Sequence, residues 1–411
     1  MIRSALYISA LDAVFWESKH QAMKNTIIIT TGGTGGHIFP AQTIADKLSK
    51  KGLNVVILGD KNYAKYHKPH YQYKFQIIGS AKINKSPLAL AKSAARISYG
   101  IFQSMILLLK YQPKVVIGFG GYSTFPVLCA AVTLGKKIIL HEQNAHLGKV
   151  NRIFAKFADK IALSYLQTDG LEPGDKTVFT GNPIREEIAE LQKLEYQLPD
   201  STKQLNIIDN LGYDLMLASQ FYNYNKSSSP DLFNILVIGG SGGAKIFSEI
   251  LPRAFFNLRD EVKKKISITQ QCRSENLHST FEQYKSFSFN ILMSEFFDDM
   301  PAKISKAHLI ISRAGSSSIA EFTCSKRPMI LVPFALAADN HQEKNAREIE
   351  KSGAAIVVRE KDFTINNLTG IIEKLIDNPA LLQKMSAASF KCSNIEAGDK
   401  LTKLIINTNN E

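Results

Sequence analysis

Two glycine-rich turns of nearly the same design, Thr30-Thr31-Gly32-Gly33-Thr34-Gly35-Gly36-His37 and Gly239-Gly240-Ser241-Gly242-Gly243-Ala244, each follow an apolar run and each open a helical pattern. The runs are Ile27-Ile28-Ile29 and Ile235-Leu236-Val237-Ile238, aliphatic throughout, and they read as buried strands. Glycines placed after such strands let the backbone turn tightly and bring its N–H groups close to an anion, of which a diphosphate is the natural example. A single loop of this kind also serves a bare tight turn. Two in parallel positions predict two nucleotide-type domains in one chain.

The rest of the chain keeps the alternation of strand and helix that marks doubly wound parallel sheets. Strands are expected at 26–30, 54–58, 75–78, 114–117, 137–140 and 160–163, and again at 234–238, 267–269, 290–292, 309–311, 329–332 and 355–358. The first helix has Pro40, read as lying in its opening turn, and Gly52 just past its end. A length of 411 residues with 45% hydrophobic content allows two or three domains, each with a real core. The rhythm breaks between Glu186 and Asp231, where Pro199-Asp200-Ser201 and Asn223-Tyr224-Asn225-Lys226-Ser227-Ser228-Ser229-Pro230 read as a linker. Residues 1–23 carry a short apolar stretch spoiled as a signal sequence by Asp12, Glu17 and Lys19, and read as an extension upstream of the fold. The expected division is 24–186, a linker over 187–232, and 233–411.

Charge is more informative for where it lies than for its total of +13. No carboxylate occurs between Asp60 and Glu142, while twelve lysines and arginines do, so the first domain is expected to be strongly basic. Within this stretch Ser86-Pro87 starts a helical pattern carrying Leu88, Leu90, Ile97, Ile101, Phe102, Met105, Ile106, Leu107 and Leu108, with Lys92 and Arg96 near its start, Lys110 at its end, and Lys82 and Lys85 just before it. One reading is a core helix with basic ends; the other is a surface resting on anionic lipid, each basic residue contributing roughly 1 kcal/mol. Nucleic acid is not an expected partner, since no RNP, zinc-finger or helix-turn-helix signature is present. The four cysteines are scattered without metal-ligand spacing and read as reduced thiols. No apolar run reaches the roughly 18 to 20 residues that cross a bilayer.

Seven motifs in order resemble those of the MurG family of glycosyltransferases. They are Thr31-Gly32-Gly33-Thr34-Gly35-Gly36-His37, Gly118-Phe119-Gly120-Gly121-Tyr122, His141-Glu142-Gln143-Asn144, Gly181-Asn182-Pro183-Ile184-Arg185, Gly239-Gly240-Ser241-Gly242-Gly243, Phe296-Phe297-Asp298-Asp299-Met300, and Arg313-Ala314-Gly315-Ser316 through Glu321. The resemblance covers the chain from about Lys24 onward apart from much of the linker. It implies an α/β fold of the GT-B class, two facing Rossmann-like domains with a cleft between them, and a last helix that can return to the N-terminal domain. It implies an inverting transfer of N-acetylglucosamine from UDP-GlcNAc to the 4-hydroxyl of the MurNAc unit of lipid I (undecaprenyl-pyrophosphoryl-MurNAc-pentapeptide), making lipid II. The place implied is the cytoplasmic face of the bacterial inner membrane, as a peripheral protein.

By the same resemblance Ser241 contacts the donor diphosphate, Phe297 frames the uracil through its backbone, and Ser316, Ser317 and Ser318 open a helix that faces phosphate. Glu321 is expected on the ribose hydroxyls and Gln342 on the sugar hydroxyls, with Thr34, Gly35, Gly36, Asn144 and Arg185 completing the binding set. Loss of a diphosphate needs its developing charge stabilised, and N–H donors, helix N-termini and hydroxyls supply that without a metal. The chain has no Asp-x-Asp element. Neither metal nor cofactor is expected.

The acceptor hydroxyl needs a general base with a pKa near neutrality, and His37 at the mouth of the first glycine turn is the favoured candidate. Its other reading is a histidine that orients the loop. Glu142 is the competing base, or else a buried carboxylate that orients Asn144; His141 is open in the same way. Tyr122 and Ser123 line an acceptor diphosphate pocket or support a turn. Arg313 faces phosphate or makes a surface salt bridge. The competing functions are another UDP-sugar transferase acting on a glycolipid, a hexosamine 2-epimerase, and a basic lipid- or polyanion-binding protein. A NAD dehydrogenase is disfavoured because neither loop keeps GxGxxG spacing. Two features depart from the family: the connection from Arg185 to the Gly239 turn is roughly twice the expected length, and the serine triplet is unusually rich in hydroxyls.

Overall fold

The computed structural model describes residues 26–67, 71–82, 86–172, 174–199, 222–224, 232–240, 243–287 and 289–411. Residues 1–23, Lys85, Ser241 and most of the linker therefore lie outside the described residues. The chain divides into two compact units, one running to Ile184 and resuming at Asn394–Glu411, the other Arg185–Ser393.

The first unit is built on β1 (Thr26–Thr31), α1 (Gly35–Lys50), β2 (Asn54–Gly59), α2 (Lys61–Ala64), β3 (Lys74–Ile77), α3 (Pro87–Tyr111), β4 (Val115–Gly118), α4 (Phe125–Thr133), β5 (Lys137–Glu142), α5 (Lys149–Phe154), β6 (Lys160–Leu163) and β7 (Thr177–Phe179). Its strands form one parallel sheet in the order β3-β2-β1-β4-β5-β6-β7. Because helices cover both faces, the inner strands carry continuous aliphatic runs such as Ile27-Ile28-Ile29 and Val55-Val56-Ile57-Leu58, and successive residues serve opposite layers. Ile27 and Ile29 pack with Ile38, Ala41, Ile44 and Leu48 of α1, while Ile28 packs with Leu107, Leu108 and Tyr111 of α3 and with Val127 and Leu128 of α4. Pro40 sits inside α1, because the helix already starts at Gly35, and removes one backbone bond there.

Helix α3 turns its small residues inward. Ser93, Gly100 and Ser104 are buried, while Leu88, Tyr99, Phe102, Ile106 and Leu109 are each at least half exposed. At Gly100 a Cβ would come within 1.8 Å of the Gly79 carbonyl oxygen, so the helix meets the segment that follows β3 at backbone contact. Leu107, Leu108 and Tyr111 in its last turns still reach the core, while the other large side chains lie on the outer face.

The second unit repeats the plan with α6 (Glu186–Ala189), β8 (Tyr222–Tyr224), β9 (Phe233–Ile238), α7 (Lys245–Phe256), α8 (Asp260–Lys263), β10 (Ile266–Gln271), α9 (Ser274–Ser286), β11 (Asn290–Ser294), α10 (Met300–Lys306), β12 (Leu309–Ser312), α11 (Ser316–Cys324), β13 (Met329–Leu331), α12 (His341–Lys351), β14 (Ala355–Val357), α13 (Ile365–Ile376) and α14 (Pro379–Lys391). The sheet order is β14-β13-β12-β9-β10-β11-β8, parallel except for β8, which pairs antiparallel to β11. Part of the segment read as linker is thus built into this unit: Ile188 and Leu191 pack with Leu236, Ile310 and Phe322. The final helix, α15 (Ala397–Asn410), belongs to the first unit, where Leu401 and Ile405 are fully buried against the α1 layer.

In each sheet the chain runs outward in one direction and then restarts at the centre in the other. The restart lies between β1 and β4 in the first unit and between β9 and β12 in the second. Ligands of open α/β sheets bind at the carboxyl ends of strands flanking such a point. Four of the seven motifs follow those four strands.

Candidate active site

In the first unit the turn after β1 and the turn after β4 meet around His37. Its ring packs on Gly120 and Gly121, whose added Cβ atoms would lie within 3.4 and 3.7 Å of ring carbons. Its Nδ1 is 3.3 Å from Thr34 Oγ1, and Thr31 Oγ1 donates to the His37 carbonyl at 2.9 Å. The imidazole is half-buried at the start of α1, with Thr34 and Gly36 exposed beside it and Gly35 buried. Beneath the turn lies Asp60, which sequence reading did not single out. It accepts the Gly33 N–H (3.1 Å) and the Tyr122 hydroxyl (2.9 Å). Burial, then this bond to Asp60, pushes the Tyr122 phenol up to about 12.

Glu142 ends β5 and is buried. Oε1 accepts from the Asn144 backbone (3.0 Å) and side-chain amides (3.1 Å), and Oε2 from Gly148 N–H (2.9 Å) and Asn151 Nδ2 (2.8 Å). Desolvation raises its pKa, with the four donors opposing. Four donors fill the four lone-pair directions of a carboxylate, so the loop from 142 to 148 is shaped around Glu142 and Asn144 is held by it. His141 is equally engaged: Nε2 donates to the Gly181 carbonyl (3.1 Å) and Nδ1 accepts from Gln143 Nε2 (3.0 Å). Complete burial lowers its pKa to about 4, which keeps the ring neutral. Ser123 is buried with its hydroxyl unpartnered.

In the second unit the turn after β9 is described on either side of Ser241 and Gly242. Gly243 N–H donates to the Gly240 carbonyl (2.9 Å), and Arg273 packs directly against Gly243. A depression of about 440 Å³ is lined by Gly243, Gln271, Arg273, Ser274 and Glu295. The turn after β12 leads through Gly315 into α11, whose first three residues are Ser316, Ser317 and Ser318, so the triplet stands at a helix N-terminus. One turn further on, Glu321 accepts a two-pronged bond from Arg185, Nε at 2.8 Å and Nη2 at 2.9 Å. Phe297 is buried to 2% exposure, and its neighbour Phe296 is the exposed ring of that loop. Gln342 Oε1 accepts from Phe334 N–H (2.9 Å) across a loop in which Asp339 and Asn340 both have positive φ.

Arg313 is not a surface residue. It is buried between the rings of Phe247 and Phe334, donates to the Val332 and Pro333 carbonyls and pairs with Glu360. It braces the loops after β12 and β13. Among the described residues no group of three or more His, Cys, Asp or Glu is placed to hold a metal ion, and no helix is long and apolar enough to cross a membrane.

Comparison with known proteins fits this geometry. Residues 27–163 match the glycosyltransferase family 28 N-terminal domain, and residues 234–401 match the family 28 C-terminal domain. A relative from Wolbachia sp. subsp. Drosophila simulans is 36% identical over 92% of this chain and 98% of its own length. One from Rhodospirillum centenum is 33% identical over 92% of this chain and 93% of its own. Both are named UDP-N-acetylglucosamine--N-acetylmuramyl-(pentapeptide) pyrophosphoryl-undecaprenol N-acetylglucosamine transferase. The crystal structure of Acinetobacter baumannii MurG superimposes with a TM-score of 0.69 at 25% identity, covering 93% of this chain and 99% of that one. The chain belongs to the MurG family. Its two Rossmann-like units are those of a GT-B glycosyltransferase, and the two matched family 28 segments contain the switch-point turns of both sheets.

Proposed function

We propose that this chain transfers N-acetylglucosamine from UDP-GlcNAc to the MurNAc 4-hydroxyl of lipid I, making the lipid II used in peptidoglycan synthesis. The observation that carries the reading is identity of 33 to 36% with transferases of that name along 92% of the chain. His37 takes the proton of the acceptor hydroxyl as its oxygen attacks the anomeric carbon on the face opposite UDP. The bond from that carbon to the diphosphate oxygen breaks, UDP leaves with the electron pair, and configuration inverts. Glu142 acts by holding Asn144 and its loop, since all four of its lone-pair directions are filled from within the protein.

On the donor side, Ser241 and the serine triplet 316–318 address the diphosphate, the triplet adding the partial positive charge of a helix start. Glu321, held by the two bonds from Arg185, addresses the ribose hydroxyls. Arg185 sets that carboxylate in place. The Phe297 backbone frames uracil, and Gln342, whose Oε1 anchors the Phe334 loop, offers its amide to the sugar. Thr34, Gly35 and Gly36 line the acceptor side of His37.

The acceptor is a lipid, and α3 supplies a surface for meeting its membrane. The exposed Leu88, Tyr99, Phe102, Ile106 and Leu109 share that helix with exposed Lys92 and Arg96. Such a face inserts at an anionic headgroup boundary and makes the protein peripheral at the cytoplasmic surface of the inner membrane. The test is transfer from radiolabelled UDP-GlcNAc to a short-chain lipid I. Appearance of the β1,4-linked disaccharide lipid is expected, and a protein that binds UDP but transfers nothing would overturn the reading.

A further inference from the structure

The first glycine turn already holds an anion, and it belongs to the protein. Asp60 is 5% exposed. Its Oδ2 accepts from Gly33 N–H and the Tyr122 hydroxyl, and its Oδ1 from the backbone N–H groups of Asn62 (3.1 Å) and Tyr63 (3.3 Å). Two further amides of the turn are used internally, Thr34 N–H by the Gly32 carbonyl and His37 N–H by the Thr34 carbonyl. A phosphate arriving at Gly33 would find its N–H already donated to a carboxylate. Crowding at Gly32 points the same way. A Cβ there would come 2.6 Å from Ser123 Oγ and 2.7 Å from Asp60 Oδ1, on a backbone with φ of +150°. Gly32 is glycine because Asp60 and Ser123 pack against it.

We propose that Asp60 is a positioning residue for the transfer reaction: its carboxylate fills the anion seat of the first glycine turn, ties that turn to Tyr122, and so fixes His37 against Gly120 and Gly121. This rests on the reading of His37 as the base. The seat joins two turns well separated in sequence, one bearing His37 and the other, through Tyr122, adjoining the Gly120-Gly121 surface on which its ring lies. Asp60 is also the last carboxylate before Glu142. The turn that resembles a phosphate cradle is thus a mount for a base, with its Gly33 N–H given to Asp60 rather than to a phosphate.

The test uses the full-length protein as Asp60→Ala and as the isosteric, neutral Asp60→Asn, each with and without formate. Both variants are expected to lose kcat about ten- to a hundredfold, the scale of bonds to a charged group, with the affinity for UDP unchanged. Formate, a carboxylate small enough for the vacated seat, should restore kcat of the Ala variant saturably and raise its Tm, while leaving wild type and the Asn variant as they were. Wild-type kcat in either variant would overturn the proposal. So would a folded Ala variant whose lost kcat and Tm ignore formate. If the Ala variant does not fold in buffer, the Asn variant and Tyr122→Phe, each with reduced kcat at unchanged UDP affinity, carry the test. A wild-type protein without transferase activity would sink the function instead, and the formate-dependent Tm would still decide whether Asp60 occupies the seat.

Discussion

His37 is where the chemistry concentrates, and His37→Ala should lower kcat about a hundredfold to ten-thousandfold, the contribution of a general base, with UDP affinity unchanged by calorimetry. Equal turnover would remove it from the mechanism. Two other histidines govern acid stability. Burial lowers the pKa of both His141 and His308 from 6.5 to about 4. The folded state therefore binds these protons less readily than the unfolded one. Their contribution is complete above pH 6.5 and lost as pH falls toward 4. At pH 5 each should withdraw about 2 kcal/mol, read from urea midpoints at pH 7 and pH 5. His308→Asn should flatten that dependence for the second unit, and an unchanged slope would refute the assignment. The contrast between His37 and His141 was not legible in the sequence, where each is a histidine beside a motif. Burial and the bonds to Gly181 and Gln143 separate them. Asp60 was invisible for a related reason: its partners Gly33 and Tyr122 lie 27 and 62 positions away, and no local pattern records such a pairing.

At the scale of elements, strands with long aliphatic runs were legible. Those at 26–30, 54–58 and 234–238 reappear in β1, β2 and β9 within a residue. β7 and β8 were not, being three residues each and lying at sheet edges, where burial imposes no run of aliphatics. Helix α3 was legible as a helix, but its facing was not. Composition left open a core helix and a lipid-facing one, and the structure divides the helix: Gly100, Leu107, Leu108 and Tyr111 face the core while Leu88, Phe102, Ile106 and Leu109 face outward. Gly100→Ala should destabilise the protein by about 1–3 kcal/mol or more through overpacking, measured by thermal melting; a silent substitution would show that α3 does not touch the segment after β3 so closely. On the outer face, Phe102→Glu with Ile106→Glu should abolish cosedimentation with anionic vesicles while UDP binding persists. Salt should weaken wild-type binding only in part, since screening removes the contribution of Lys92 and Arg96 and leaves the apolar one. Equal binding by variant and wild type would place the membrane contact elsewhere.

For the molecule as a whole, the doubled α/β plan was legible from two glycine turns because each switch point needs one. The proposed phosphate contacts are hydroxyls, N–H groups and a helix N-terminus, so transferase activity should survive exhaustive chelation. Loss of turnover in EDTA with recovery on adding magnesium would overturn that assignment. The return of α15 to the first unit carries a different consequence, one of timing. Synthesis at about 5 to 20 residues per second delivers the first unit's sheet well before Leu401 and Ile405, whose burial closes the layer over α1. The nascent first half must wait through translation of the entire second unit with an apolar seam uncovered. It is then the stretch a chaperone would be expected to guard, and the last to become protease-resistant on the ribosome.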